Sequence, residues 1–289
     1  MIRDAAGTLP KMERSALAAK AERFHVLHAQ RGVLVLLNAW DAGSARVFEA
    51  AGCPAIGTTS AGVAFASGRP DGEALTRAEL VESTARMTAA VEVPVTADIE
   101  SGYGETPAEV GETVAAVIEA GAVGINLEDA ASEGGAPLRD VAEQCERLVA
   151  ARAAADAAGV RLFLNARTDL WWQGVGEPRE RLEAALARAR AYVEAGADGL
   201  FAPGLVEPDE IAAFTAAVGV PVNVLGSRAT PSLAELERLG VKRLSVGSGP
   251  IRAVLDFAGR IALDVLETGD SELLAAGTLT YSEANDLFR

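Results

Sequence analysis

Asp98 and Glu100 flank Ile99 at the end of the apolar run Pro94–Glu100. Alternate residues of an extended strand share a face, so this spacing predicts both carboxylates pointing into one space and Ile99 pointing away from it. Glu128 ends the next such run, Gly124–Asp129. Acidic groups at neighbouring strand ends repel unless a cation joins them. Hard oxygen ligands of this kind suit Mg2+, with Mn2+ as the alternative and water completing an octahedron. The sequence thus predicts the carboxylates of Asp98, Glu100 and Glu128 around one point at the C-terminal mouth of these strands, directly or through metal-bound waters. The competing reading makes them helix caps or salt-bridge partners.

Arg167 lies two residues from both Asn165 and Asp169, which places all three on one face of a third run, Leu162–Asp169. A guanidinium fork held there can grip a carboxylate or a phosphonate. Its structural alternative is a salt bridge to Asp98 or Glu128. The small residues Thr59, Ser60 and Ala61 follow another apolar run and let backbone N–H groups approach a ligand oxygen. Asp71, in Gly68-Arg69-Pro70-Asp71-Gly72, either reaches a metal through water or closes a plain turn. Trp40 either lines the pocket or closes the core, and Asn223 adds a polar end to one further run. The pairs Gly102/Gly104 and Gly134/Gly135 predict mobile loops after two of the acidic strand ends. His25, His28, Trp171 and Trp172 read as packing or surface residues.

Positioning these groups at one level requires many parallel strands. Short β-rich runs alternate with longer stretches of helical period along almost the whole chain. Strands are expected at Val33–Trp40, Ala55–Ser60, Pro94–Glu100, Gly124–Asp129, Leu162–Asp169, Gly199–Pro203, Pro221–Leu225 and Arg243–Gly247. A helical segment follows each, near 43–51, 76–91, 106–120, 139–158, 177–195, 207–217, 231–239 and 250–267. Eight repeats of strand and helix predict a (β/α)8 TIM barrel in which residues 1–289 form one domain, with residues 1–10 a loose tail leading into an N-terminal helix. Chemistry in this fold sits at the C-terminal strand ends, where the polar residues above fall. The recurring Ala-Gly before a strand, at Gly52, Gly121, Gly196 and Gly240, is a helix-ending signal rather than a ligand motif.

The composition narrows the function. Only 5% of the residues are aromatic while 49% are hydrophobic, as buried parallel strands and stacked helices require. The longest apolar run, Val33–Ala39, is far short of the roughly 20 residues that span a bilayer. A net charge of −15, from 41 acidic against 26 basic residues, removes the electrostatic basis of nucleic-acid binding. Cys53 and Cys145 have no metal-type spacing, and the first residues lack a secretory signal, so a cytoplasmic protein is expected. A small anionic substrate would then need a local positive charge from a metal or a placed arginine.

Three phrases carry a resemblance: Val95-Thr96-Ala97-Asp98-Ile99-Glu100-Ser101-Gly102-Tyr103-Gly104, Gly124-Ile125-Asn126-Leu127-Glu128-Asp129 and Asn165-Ala166-Arg167-Thr168-Asp169. With them the chain resembles the isocitrate lyase/phosphoenolpyruvate mutase superfamily over nearly its full length. The resemblance implies that Asp98, Glu100 and Glu128 hold or position Mg2+, that Asp71 assists through water, that Arg167 binds substrate, and that amides near Ser60 and Ala61 bind oxygens. It also implies a homotetramer in which C-terminal helices are exchanged between subunits. Lyases of the superfamily carry a Lys-Lys-Cys-Gly-His loop after the strand-four glutamate, where this chain reads Ala130-Ala131-Ser132-Glu133-Gly134-Gly135-Ala136-Pro137. Their strand-six glutamate is replaced by the phrase Phe201-Ala202-Pro203-Gly204. The lysine- and asparagine-containing gating loop of the C–P enzymes is also missing.

What remains resembles the oxaloacetate-decarboxylase-like branch. The expected function is Mg2+-dependent handling of a small 2-oxo acid through a stabilised enolate, with oxaloacetate decarboxylation as the leading reaction. The alternatives are a C–C lyase of 2-methylisocitrate or dimethylmalate type, a C–P enzyme like phosphoenolpyruvate mutase or phosphonopyruvate hydrolase, and a silent 2-oxo acid binding protein.

Overall fold

A computed structural model describes residues 13–131, 137–269, 272–275 and 279–289. The tail expected over 1–10 and the Gly134-Gly135 loop lie outside the described residues. The strands are β1 (Leu34–Ala39), β2 (Ile56–Thr58), β3 (Val95–Asp98), β4 (Gly124–Glu128), β5 (Phe163–Arg167), β6 (Gly199–Ala202), β7 (Val222–Leu225) and β8 (Arg243–Ser245). The helices through the barrel are α1 (Arg14–Ala29), α2 (Ala42–Ala50), α3 (Ser60–Ala66), α4 (Arg77–Ala90), α5 (Pro107–Glu119), α6 (Val141–Ala158), α7 (Pro178–Glu194), α8 (Pro208–Val218), α9 (Leu233–Arg238) and α10 (Gly249–Thr268). Two short helices, α11 (Glu272–Ala275) and α12 (Tyr281–Asp286), follow. All eight strands pair in parallel and in chain order, and β8 closes on β1 through Leu34 opposite Arg243. The (β/α)8 barrel expected from the alternation is the fold observed.

The helices start and stop where local chemistry dictates. Thr76 and Glu79 cap α4 reciprocally, and Thr106 and Glu109 do the same for α5, whose first residue is Pro107. At the other ends Gly52, Gly121, Gly196 and Gly240 all have positive φ, from 84° to 104°, as helix-terminating glycines should. The strands are shorter than the apolar runs that announced them, by one or two residues at most ends. The difference matters at β3, which ends at Asp98.

The strand alternation sorts side chains between two spaces. Ile125, Leu127, Leu164, Ala166, Val222 and Val224 are buried in the apolar layer shared with the helices. Their neighbours Asn126, Asn165 and Asn223 are equally buried but turn to the barrel interior, where Asn165 Nδ2 donates to Asn126 Oδ1 at 2.9 Å. Arg243 Nη2 reaches the same Asn126 oxygen from β8 at 3.3 Å, across the barrel. The N-terminal helix α1 covers the opposite end of the barrel. Its His28 is buried, stacks on Phe163 with ring centroids 3.9 Å apart, and hydrogen-bonds the Phe24 carbonyl through Nδ1.

Candidate active site

The C-terminal ends of the strands enclose a central cavity of about 100 Å3. Thr59, Ser60, Ala61, Asp71, Asp98 and Arg167 line it, as the sequence suggested, together with Asn38, Asn126, Trp172, Phe201 and Leu225. A second cavity of about 270 Å3 beside it is lined by Glu73, Glu100, Ser101, Glu128 and Gln173. Asp98 lines the first of these cavities, Glu100 and Glu128 the second, and Arg167 of the first pairs with Glu128 of the second.

The division has a backbone cause. β3 stops at Asp98, and Glu100 has φ +49°, so the strand alternation that would have aligned the two carboxylates does not extend to Glu100. Glu73 and Tyr103, at φ +55° and +54°, share this unfavourable region, and all three side chains or backbones meet. Glu73 N and Tyr103 Oη donate to the Glu100 carboxylate, each at 2.6 Å, while the Glu73 carboxylate accepts from Ser101 Oγ at 2.7 Å and Tyr103 N at 3.1 Å. Non-glycine strain concentrated at one place is held only by such over-determination. The loop is pinned further by the buried Arg147 of α6, which donates to the carbonyls of Ser101, Gly104 and Glu105. The Gly102–Gly104 segment, expected to be a mobile loop, is hydrogen-bonded to Glu73, Glu100 and Arg147.

Asp98 is held from β2. Ser60 donates to its Oδ2 from both backbone N, at 3.1 Å, and Oγ, at 2.8 Å, and Thr58 Oγ1 receives the Asp98 N–H. The Ser60 amide expected to bind substrate is thereby engaged with Asp98. Ser60 opens the short helix α3, which the sequence did not show as a helix, capped by Thr59. Gly62 is required there, because a Cβ would lie 2.4 Å from Thr59 Cγ2 and 3.0 Å from Trp40 Cβ. Asp98 Oδ1 is buried without a hydrogen-bond partner.

Arg167 takes the structural role weighed against substrate binding, without leaving the cavity. Its Nη1 pairs with Glu128 at 2.7 Å, and its Nε and Nη2 grip both oxygens of Asp169 at 2.6 and 2.9 Å. Asp169 is fixed in turn by its N–H to Asp129, a fully buried carboxylate that also accepts from Tyr192 Oη and Arg188. Burial pushes Glu128 and Asp169 upward, against the downward pull of the Arg167 guanidinium. Burial also raises the Glu100 carboxyl, to about 7, with the Asp98 charge adding to it. Asp71 is raised by burial and then by Asp98. Asp98 acts on all three of Asp71, Glu100 and Glu128, so these carboxylates are near enough to repel. Among the described residues no group of three His, Cys, Asp or Glu side chains surrounds a single point.

Three residues singled out in the sequence lie elsewhere. Trp40 borders a separate cleft with Asp41 and Glu79 and packs edge-on against Phe48. Asn165 and Asn223 sit inside the barrel without lining the cavity, Asn165 bonded to Asn126 and Asn223 Oδ1 accepting from Ser245. Conversely, Asn38 and Asn126 reach the cavity. Asn38 bridges β2, through the Thr58 carbonyl, and the loop after β8, through Val246 N and Gly247 N. Asn126 could have been found from its i−2 spacing to Glu128. Trp172 and Phe201 carried no such signal. Cys145 is a free cysteine of α6, away from both cavities.

The phosphoenolpyruvate phosphomutase family matches residues 24–266. The chain is 38% identical over 239 residues to an uncharacterized protein of Mycobacterium tuberculosis H37Rv, covering 83% of this chain and 87% of that one. It is 33% identical to an oxaloacetate decarboxylase of Bradyrhizobium sp. ORS 278, over 75% of this chain and 74% of the other. It is 32% identical to the 2-methylisocitrate lyase of Escherichia coli K12, over 75% and 73%. A Burkholderia cenocepacia J2315 structure, provisionally named a lyase/mutase, superposes with TM-score 0.88 at 40% identity, covering 95% of this chain and 97% of that one. A phosphonopyruvate hydrolase solved with oxalate and Mg2+ superposes with TM-score 0.82 at 25% identity, over 93% and 94%. The full-length barrel and these similarities agree: the chain belongs to the phosphoenolpyruvate phosphomutase family, within the isocitrate lyase/phosphoenolpyruvate mutase superfamily of lyases and mutases.

Proposed function

We propose that the chain is a Mg2+-dependent enzyme that decarboxylates oxaloacetate or a closely similar small 2-oxo acid. The observation that carries the choice of reaction is the inventory of the central cavity. Its titratable residues are Asp71, Asp98 and Arg167, with no Cys, His, Lys or Tyr among the described residues that line it. A C–C lyase needs a protein acid for the departing carbanion and a base for the substrate hydroxyl, groups worth about 10² to 10⁴ in rate. Decarboxylation needs neither, since the proton returned to carbon can come from water.

The residues fit a divalent cation. Asp98 Oδ1 is buried and unpaired, Asp71 lines the same cavity, and burial together with the Asp98 charge raises the carboxyls of Asp71, Glu100 and Glu128, a set a cation would stabilise in the charged form. Asp98 would hold the ion, with the other three acting from further out. A Mg2+ ion held by Asp98 would supply electron-withdrawing charge to a 2-oxo acid. Ser60 keeps Asp98 fixed through two hydrogen bonds, and the Asp169 clamp keeps the Arg167 guanidinium facing the cavity, where it orients a carboxylate. The oxalate and Mg2+ bound by the similar phosphonopyruvate hydrolase support a two-carbon, two-oxygen end as the part recognised.

The 2-methylisocitrate lyase similarity favours C–C cleavage of a hydroxy acid as the second reading. An NMR screen of oxaloacetate, 2-methylisocitrate, dimethylmalate, phosphonopyruvate and phosphoenolpyruvate, with and without Mg2+, tests the proposal. Pyruvate formed from oxaloacetate above the rate with Mg2+ alone supports it. Turnover confined to another compound assigns the chain to that reaction, and none with any compound leaves a binding protein. We further propose a homotetramer with exchanged C-terminal helices. Val254, Leu255, Leu263 and Leu266 of α10 are exposed, Leu266 to 82%, an apolar surface that association would cover. No helix among the described residues is long and apolar enough to cross a membrane.

A further inference from the structure

The central cavity has two unlike sides. The ends of β2 to β5 bring Ser60, Asp71, Asp98, Asn126 and Arg167 to it, so the charged groups lie on that side, while Asn38, Ser245 and Ser248 add uncharged polar groups from β1 and the end of β8. β6 and β7 stand across the closed barrel from β2 and β3, and with the turn after β5 they contribute Phe201, Pro203, Leu225 and Trp172. None of these four carries a charge. The Phe201 ring lies 5.6 Å from the Arg167 guanidinium carbon and borders the charged side. Arg167, the one basic side chain lining the cavity among the described residues, is already shared between Glu128 and Asp169.

Trp172 is held at the rim by its neighbours. Trp171 is anchored, its Nε1 donating to Glu210 at 3.0 Å and its ring edge-on to Phe214. Gly204, at φ +84°, passes so close beneath that a Cβ would lie 3.0 Å from the Trp171 carbonyl carbon and the Trp172 nitrogen. The Trp172 side chain, 60% exposed, nonetheless borders the cavity. A large apolar ring left in water at a cavity mouth gains by covering a ligand.

We propose that Trp172, Phe201, Pro203 and Leu225 form a specificity wall for the far end of a four-carbon 2-oxo acid, the carboxylate that leaves as CO2. The inference rests on the decarboxylase reading and adds the determinant of which acid reacts. A carboxylate set against this wall loses hydration and meets a guanidinium already committed to Glu128 and Asp169, whereas neutral CO2 needs neither, so the wall disfavours the bound substrate more than the transition state. The C3–C4 bond breaks with its electron pair moving into C2–C3, the C2 oxygen takes the negative charge, CO2 departs, and C3 takes one proton from water to give pyruvate. A third carboxylate, as on a tricarboxylate, would have no compensating charge on this side and is excluded.

The experiment compares wild type, Leu225→Gln, Trp172→Gln and Trp172→Phe at one Mg2+ concentration. It reads kcat and KM for oxaloacetate and the inhibition constant of oxalate, which lacks a departing carboxylate. The glutamines offer hydrogen bonds to the ground-state carboxylate, so kcat should fall about 10-fold or more, the low end of strain spent in this way, while KM stays level or falls. Oxalate inhibition should remain within about twofold, and Trp172→Phe should restore kcat. Unchanged kcat in the glutamine variants, or parallel loss of kcat and oxalate affinity, overturns the wall. A wild type inactive on oxaloacetate overturns the decarboxylase reading and the wall together, an outcome separable from the first two.

Discussion

Replacing Arg167 by methionine would keep most of the side-chain volume and remove the charge that Glu128 and Asp169 share. The two carboxylates lie 2.7 and 2.6 Å from the guanidinium, the Glu128 side chain is 14% exposed and that of Asp169 only 2%, and the buried Asp129 carboxylate accepts from the Asp169 N–H. Removing one partner of a buried ion pair typically costs about 3–5 kcal/mol, because the other is left desolvated and uncompensated. For a chain of this size that is a fall in Tm of roughly 5 to 8 °C at pH 8. The loss must depend on pH in a definite direction. Burial already pushes Glu128 and Asp169 upward with Arg167 present, and without it both rise further. A carboxyl whose folded pKa is raised contributes its stability below the unfolded value, about 4 for Asp and Glu, and loses it as pH rises through the folded value. The deficit should therefore shrink at pH 5, where the carboxyls can take up protons. Circular-dichroism melts of both proteins at pH 5 and pH 8, without added Mg2+, measure it. Equal Tm at pH 8, or the same deficit at both pH values, would refute the reasoning.

Asp98→Ala should retain the far-ultraviolet spectrum of the wild type and lose Mg2+-dependent turnover by at least about 100-fold, since the group proposed to hold the ion is gone; residual Mg2+-stimulated activity above a tenth of wild type would argue against it. Cys145→Ala, on α6 and away from both cavities, should leave kcat and KM within about twofold in the same assay. The buried His28 imidazole is pushed down to about 3, by burial first and then by the Arg243 charge. Its stabilisation is present above the ordinary histidine value of about 6.5 and is lost as pH falls toward 3, reaching about 2 kcal/mol at pH 5, and urea titrations at pH 5 and 7.5 should show His28→Leu with a flatter pH dependence.

The barrel was legible because its signals are periodic and repeated. Helix-ending glycines such as Gly121 and Gly196, and capping pairs such as Thr106 with Glu109, mark boundaries by local backbone chemistry, and the closed sheet follows from the order of elements. The inner face of each strand was also readable, since Asn126 and Glu128, or Asn165 and Arg167, share it by alternation. Legibility failed where the chain leaves the strand. The period of two carried Glu100 into line with Asp98, but its positive φ, set by contacts with Glu73 and Tyr103 that are distant in sequence or outside any regular element, turns it into the neighbouring cavity. Which inward side chains line the cavity is equally hidden: Asn165 and Asn223 face inward but are taken up by Asn126 and Ser245, while Trp172, beyond the end of β5, borders it. Arg147 shows the same limit, because three carbonyls of a glycine-rich loop are satisfied by a helix more than forty residues later.

The central claim is that this site releases CO2 from a 2-oxo acid rather than cleaving a hydroxy acid. The direct measurement is kcat/KM for oxaloacetate and for 2-methylisocitrate under one Mg2+ concentration, with pyruvate detected in both cases and the rate of oxaloacetate decay with Mg2+ alone subtracted. The account predicts the larger value for oxaloacetate, abolished in Asp98→Ala. A value for 2-methylisocitrate equal to or above it would contradict the account, because cleavage would require an acid and a base, and among the described residues no Cys, His, Lys or Tyr lines the cavity.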